Sequence, residues 1–159
     1  MPYQAVILTV SDSCAAGTRT DTSGPAIRAM LENAGFAVQA MQTVPDKEGQ
    51  ISAAIVHACD ILQADLVVTT GGTGLSPCDV TPEATLAVLD REIRAIPVAM
   101  WVDGLKSTPR AMLSRAVAGT RGHTLVLNVP GSEKAARENL GAVVATLDHA
   151  LRMLAGGGH

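Results

Sequence analysis

Aromatic residues are almost missing from this chain, which holds one Trp, one Tyr and one Phe among 159 residues. Its core must therefore be aliphatic, built from Val, Leu, Ile, Ala and Met, a supply that suits a parallel sheet covered by helices. Concentrated positive charge is missing too. Twelve Lys and Arg are scattered singly against fifteen Asp and Glu. No basic stripe with interleaved aromatics results, so no nucleic-acid partner is expected. No apolar run is long enough to cross a bilayer, and no membrane partner is expected. Cys14, Cys59 and Cys78 are odd in number and widely spaced, without a C-x-x-C pair. Neither a disulfide framework nor a zinc site follows from them. The start, Met1-Pro2-Tyr3-Gln4, lacks the charged-then-apolar form of a signal peptide. A cytoplasmic, reducing location is the expectation.

What is present reads as a single domain over residues 1–155, with 156–159 as a frayed glycine tail. A chain of this length buries roughly 68–70% of its unfolded surface and needs no covalent staples. Ala5 to Val10 is a continuous, β-branched apolar run, read as a buried strand. Residues 11–24 are polar and form a loop. Ile27, Met30, Leu31 and Ala34 mark a helix that Gly35 stops. Phe36 to Val44 reads as a second strand, Lys47 to Gln63 as a helix, and Leu66 to Thr70 as a third strand. The next helix spans Pro82 to Leu89, with Thr81 as its N-cap and Pro82 at its first position. A helix over Ile96 to Leu105 carries Trp101. A turn at 119–122 joins extended pieces 114–118 and 123–129. Ser132 then caps a last helix whose stripe is Leu140, Val143, Val144, Leu147, Leu151 and Leu154. Strands alternating with helices predict an open α/β sheet with helices on both faces. In such sheets a ligand sits outside the carboxyl ends of the strands. Ser11-Asp12-Ser13, Pro45-Asp46, the loop after Thr70 and Pro130-Gly131-Ser132 should therefore meet in one crevice.

The most informative of these loops is Gly71-Gly72-Thr73-Gly74, where backbone can approach a ligand without Cβ atoms in the way. A strand, a glycine loop, the carboxylate of Asp79 and a new helix form a layout suited to phosphate. It is not a P-loop, because no Lys occurs between Lys47 and Lys106. Nor is it a dinucleotide fingerprint, because Pro77 stands where the third glycine would be. Asp46 and Asp79 end adjacent strands and can share Mg²⁺, which prefers one or two carboxylates plus substrate phosphate oxygens. The alternative for Asp46 is a cap on the helix at Lys47; for Asp79 it is a turn. Because Thr81 already supplies a cap, function is the preferred reading of Asp79. His57 reads as a partly buried packing residue, and His123, His149 and His159 as surface residues. Met30, Met41, Met100, Met112 and Met153 read as core fillers. Glu48, Asp60 and Asp65 read as solvated helix surface.

Taken in order, Gly71-Gly72-Thr73-Gly74-x-x-Pro77-x-Asp79-Val80-Thr81-Pro82-Glu83-Ala84-Thr85 resembles the molybdopterin adenylyltransferase family, which includes Mog and the gephyrin G domain. Thr9-Val10-Ser11-Asp12 with Ser23-Gly24-Pro25 agrees, as do Val44-Pro45-Asp46, Met112-Leu113-Ser114-Arg115 and Asn128-Val129-Pro130-Gly131-Ser132. The likeness is collinear over nearly the whole chain. It implies a three-layer α/β/α sandwich with a mostly parallel sheet, and a homotrimer. It also implies a nucleotidyltransferase reaction of molybdenum cofactor biosynthesis, in which the terminal phosphate of molybdopterin attacks the α-phosphorus of ATP with Mg²⁺ present and releases pyrophosphate. By resemblance, Asp46 and Asp79 are the functional, metal-holding carboxylates, and Gly71, Gly72, Thr73 and Gly74 form the nucleotide or pterin loop. Ser11, Asp12, Ser114, Pro130, Gly131 and Ser132 match the remaining pocket segments. Cys78 departs from the pattern, since the family commonly has Arg there, and Arg115 or Arg110 is the expected substitute. A MoaB-type molybdopterin-binding paralogue with little adenylylation is the alternative within the family. A scaffold module ranks behind both.

Overall fold

Continuous apolar runs become central strands in this protein because helices cover both of their faces. The computed structural model describes residues 1–157; Gly158 and His159 of the expected tail lie outside the described residues. In chain order the elements begin with β1 (Gln4–Val10), α1 (Asp12–Ala15), α2 (Ser23–Asn33), β2 (Ala37–Val44), α3 (Glu48–Val56) and β3 (Leu66–Thr70). They continue with α4 (Thr81–Leu86), β4 (Arg91–Glu92), α5 (Ala95–Leu105), β5 (Ala118–Arg121), β6 (Thr124–Val129) and α6 (Glu133–Leu154).

The six strands form one sheet in the order β2-β1-β3-β6-β5-β4. β2, β1, β3 and β6 run parallel, while β5 and β4 continue the sheet antiparallel. The period of two along each strand divides its side chains between two cores. Ala5 and Ile7 of β1, Leu66 and Val68 of β3, and Leu125 and Leu127 of β6 face α2, α5 and α6. Val6, Leu8 and Val10, with Val67 and Val126, face α3 and α4. This is the three-layer α/β/α arrangement.

The long helix α6 follows its stripe, with Leu140, Val143, Leu147 and Leu151 buried. Removing one such fully buried side chain, as in Leu140→Ala, costs roughly 2–5 kcal/mol.

Several local readings change. The helix after Lys47 ends as α at Val56 and widens into a π turn over His57–Ile61. It closes at Gln63, whose φ of 54° is left-handed. That rotation leaves His57 exposed rather than packed. Of the methionines, Met100 is fully buried while Met41, Met112 and Met153 are exposed. Met41 lies on the edge strand β2, Met112 in a 3₁₀ turn and Met153 near the end of α6, so apolar character alone did not place them in the core. Asp65 is not solvated helix surface: its carboxylate accepts from the Gln4 amide at 2.7 Å and fixes the start of β1. The extended piece expected over 114–118 begins as strand only at Ala118. The two-residue β4 carries too little pattern to be read in advance.

α5 forms as expected. Val98, Val102 and Leu105 stand exposed along it, as do Met112 and Leu113 in the 3₁₀ turn that follows. Trp101 lies on the same helix, half-buried, and its Nε1 is buried without a hydrogen-bond partner.

Candidate functional site

All four parallel strands end at one edge of the sheet, and their loops meet there. β1 connects outward to β2, then β3 returns to the other side of β1. The crevice sits at this reversal of strand order, where two neighbouring loops diverge and leave a gap.

Two adjoining cavities occupy the crevice. The first, of about 350 Å³, is lined by Ser11, Asp46, Gly71, Gly72, Asp79, Gly131 and Ser132. Cys14, Arg19, Asp21 and Ser23 complete much of its wall. The second, of about 530 Å³, is lined by Gly72, Thr73, Gly74, Asp79, Ser114, Pro130, Gly131 and Ser132, together with Arg110, Leu113, Lys134 and Glu138. Gly72, Asp79, Gly131 and Ser132 belong to both and mark their junction. A larger cavity of about 700 Å³ lies at β4, the β5–β6 turn and α6, and receives none of these loops.

Every sequence-predicted site residue except Asp12 lines one of the two cavities. Asp12 is exposed and lines neither. Its Oδ1 accepts from the Asp46 amide at 2.8 Å, and Asp46 Oδ2 accepts from the Asp12 amide at 3.0 Å. The two loops are stapled reciprocally. Asp46 is therefore not the cap of α3, whose N-cap is Lys47 without a side-chain bond. Burial is the largest influence on the Asp46 carboxyl and pushes its pKa up; the charges of Asp12 and Asp79 add to this, against the Asp12 amide.

Asp79 keeps part of the turn role as well. Its Oδ2 accepts from the Ser76 amide at 3.1 Å, and its own amide donates to the Ser76 carbonyl at 2.9 Å. The cap expected of Thr81 does not form: Thr81 is already inside α4 and the N-cap is Val80. The Thr81 hydroxyl instead donates to the Gly71 carbonyl at 2.9 Å. Ser132 does cap α6, accepting from the Ala135 amide at 3.2 Å.

Glycine is required at two positions of the loop. Gly71 has φ +104°, and a Cβ there would stand 2.2 Å from the Val10 carbonyl oxygen. Gly72 has φ +68°, and its Cβ would meet the Thr81 hydroxyl at 2.3 Å. Both backbones are thus pressed against β1 and α4, so packing alone demands these two glycines.

The charges around the missing arginine also resolve. Cys78 is exposed and lines neither cavity. Arg115 lines neither cavity; its guanidinium donates to the Gly74 and Asp79 carbonyls and pairs with Glu83. Arg110 and Lys134 face the second cavity, and Arg19 the first. Arg19 and Asp21 were missed because the 11–24 segment reads only as a polar loop. Asp21 accepts from the Thr9 hydroxyl at 2.7 Å and the Gly24 amide at 3.0 Å, which folds that loop over the strand ends. An Asp three residues before a helical Gly was the available signal.

For a divalent cation the donor set fits. Asp46 and Asp79 line the same cavity, and each commits only one carboxylate oxygen to a protein amide. Among the described residues no group of three or more His, Cys, Asp or Glu gathers into a metal-ligand set. A pair of acids plus substrate oxygens is the arrangement Mg²⁺ prefers over a full protein cage.

Fold and site together define an open α/β domain that presents a glycine loop and paired acids at its switch point. The chain belongs to the molybdopterin-binding domain family: residues 6–149 match the family described as "Probable molybdopterin binding domain". A molybdopterin adenylyltransferase of Helicobacter pylori (strain J99) is 36% identical over 154 residues, covering 94% of this chain and 86% of that one. Gephyrin of Dictyostelium discoideum is 40% identical over 158 residues, which is 93% of this chain but only 22% of gephyrin. Among solved structures, the molybdopterin biosynthesis enzyme MoaB of Thermus thermophilus superimposes with a TM-score of 0.92 at 48% identity, covering 97% of each chain.

Proposed function

We propose that this domain adenylylates molybdopterin: an oxygen of the terminal phosphate of molybdopterin attacks the α-phosphorus of ATP, and the bond from that phosphorus to the bridging oxygen breaks to release pyrophosphate. The observation that carries the reading is Asp79 at the junction of two adjoining cavities, where a nucleotide and a second phosphorylated substrate would meet. Asp46 and Asp79 would hold Mg²⁺, which when bound neutralises phosphate charge. The protein's own task is alignment and charge neutralisation, because phosphoryl-type transfer needs little covalent help. The phosphate monoester is already anionic near neutral pH, so the site needs no strong base. In the second cavity Arg110 and Lys134 offer cations to a phosphate, while Ala111, Leu113 and Pro130 offer an apolar wall to a flat ring. That cavity is assigned to molybdopterin and the first to the triphosphate. A cytoplasmic location accords with three free cysteines.

The decisive experiment is pyrophosphate release from ATP with Mg²⁺, with and without molybdopterin. Release that depends on molybdopterin is the expected result. Tight molybdopterin binding with no release would make this chain a MoaB-type binding paralogue, a reading that the 48% identity to the Thermus MoaB structure keeps in view.

The proposal extends to a homotrimer. What supports self-association is the exposed apolar row of Val98, Val102 and Leu105 with Met112 and Leu113. Sedimentation equilibrium at micromolar concentration should give three times 16.3 kDa; a monomer would overturn it.

A further inference from the structure

Two residues outside the cavity walls, Thr81 and Arg115, hold every carbonyl of the glycine loop. Thr81 Oγ1 donates to the Gly71 carbonyl at 2.9 Å and the Thr81 amide donates to the Gly72 carbonyl at 3.1 Å. The Arg115 amide donates to the Thr73 carbonyl at 2.8 Å, and Arg115 Nε donates to the Gly74 carbonyl at 2.8 Å. Nη2 of Arg115 reaches one step further, to the Asp79 carbonyl at 2.7 Å, and Nη1 rests on Glu83.

Peptide geometry gives these bonds a consequence. In a trans peptide the carbonyl of one residue and the N–H of the next point in opposite directions, and the chain has no cis bond among its described residues. Binding the carbonyls of Gly71, Gly72 and Thr73 on the Thr81–Arg115 side therefore turns the amides of Gly72, Thr73 and Gly74 the other way. None of these three amides donates to a protein group among the described residues. All three residues line the crevice. Successive unpaired amides make an anion-binding concavity.

We infer that Thr81 and Arg115 are positioning residues that polarise the glycine loop, fixing its carbonyls inward so that its amides bind phosphate oxygens. Thr81 is itself anchored, since its carbonyl accepts from Thr85 Oγ1 at 2.7 Å, and Thr85 Oγ1 accepts from the fully buried Asn128 at 3.1 Å. Arg115 holds the Thr73 carbonyl with its backbone amide, while its planar fork braces the end of the loop at the Gly74 and Asp79 carbonyls and its charge already faces Glu83. A Lys could not reproduce two divergent carbonyl bonds. The inference rests on reading the crevice as a phosphoryl-transfer site, but its test does not use turnover.

The probe is inorganic pyrophosphate, titrated into isotopically labelled protein while the amide resonances of Gly72, Thr73 and Gly74 are followed. These three should shift together in the wild type. Thr81→Val, which frees the Gly71 carbonyl, should weaken pyrophosphate binding about tenfold, the order of a lost hydrogen bond in a charged site. Arg115→Lys, which keeps the backbone bond to Thr73 and loses the brace at Gly74 and Asp79, should weaken it only about threefold. Thr81→Ser, which keeps the hydroxyl, should restore affinity to within about threefold of wild type. Loop amides that stay still in the wild type, or wild-type affinity in folded Thr81→Val, would overturn the inference. Should Thr81→Val fail to fold around the unpaired Gly71 carbonyl, the wild-type amide shifts decide. Shifting amides without adenylylation would leave the polarised loop standing and bring down the enzymatic reading. Adenylylation with silent amides would do the reverse.

Discussion

The two cavities of the crevice share four residues and differ in everything else. The first is acidic, with Asp21, Asp46 and Asp79 against Arg19 alone. The second balances Arg110 and Lys134 against Asp79 and Glu138, and adds apolar side chains. An acidic wall repels phosphate unless a cation intervenes, whereas a wall with its own cations does not. On the proposed reading, one sheet edge would serve two anionic ligands by opposite means: borrowed positive charge in one lobe, resident positive charge in the other.

The sharpest way to break this contrast is at the junction. Asp79→Asn keeps an oxygen for the Ser76 amide and should preserve the fold, yet lower pyrophosphate release by roughly 10²-fold or more, as for loss of a key electrostatic group. Near-normal turnover in a folded Asp79→Asn protein would end the metal assignment. The next test removes the resident charge of the second lobe. Arg110→Ala and Lys134→Ala should each weaken molybdopterin binding about tenfold, the worth of a charged hydrogen bond, and leave ATP affinity nearly unchanged. The opposite pattern in two titrations would exchange the occupants of the lobes.

A third test sets stability against activity in the acidic lobe. The folded pKa of Asp46 is raised, so its ionised carboxylate costs stability. That cost is fully present above the folded pKa and disappears as pH falls to the unfolded value of about 4. Asp46→Asn should therefore melt at the same temperature as wild type or higher near neutral pH, and the gap should close on acidification. Turnover should fall regardless. Thermal melts across pH, run beside the pyrophosphate assay, check both halves. The smallest effect is expected at Cys78, outside both lobes: Cys78→Ser should alter neither ligand's affinity by more than about twofold, within the range of neutral surface changes.

The alternation of strands with helices and the convergence of the four loops were legible because fully buried parallel strands write themselves as apolar runs. Ala5–Val10 and Leu66–Thr70 are of this kind, and a glycine pair after one of them marks the candidate site. The Thr81 cap was misread for a physical reason. A threonine before Pro82 has the composition of an N-cap, but the demand of the Gly71 carbonyl for a donor, visible only in three dimensions, outweighed it. His57 failed similarly, because periodicity locates a helix face more surely than its edges. Asp12 was found as a polar loop residue and missed as a partner of Asp46. That bond joins residues 34 apart in sequence, through loops whose meeting depends on the sheet.

The half-buried Trp101 has a practical meaning in spectroscopy. Since the chain has one tryptophan, all indole emission originates from a single point on α5, beside the exposed Val98, Val102 and Leu105. Neither lobe of the crevice includes it. Fluorescence excited at the indole band is thus an unlabelled reporter of what that helix touches.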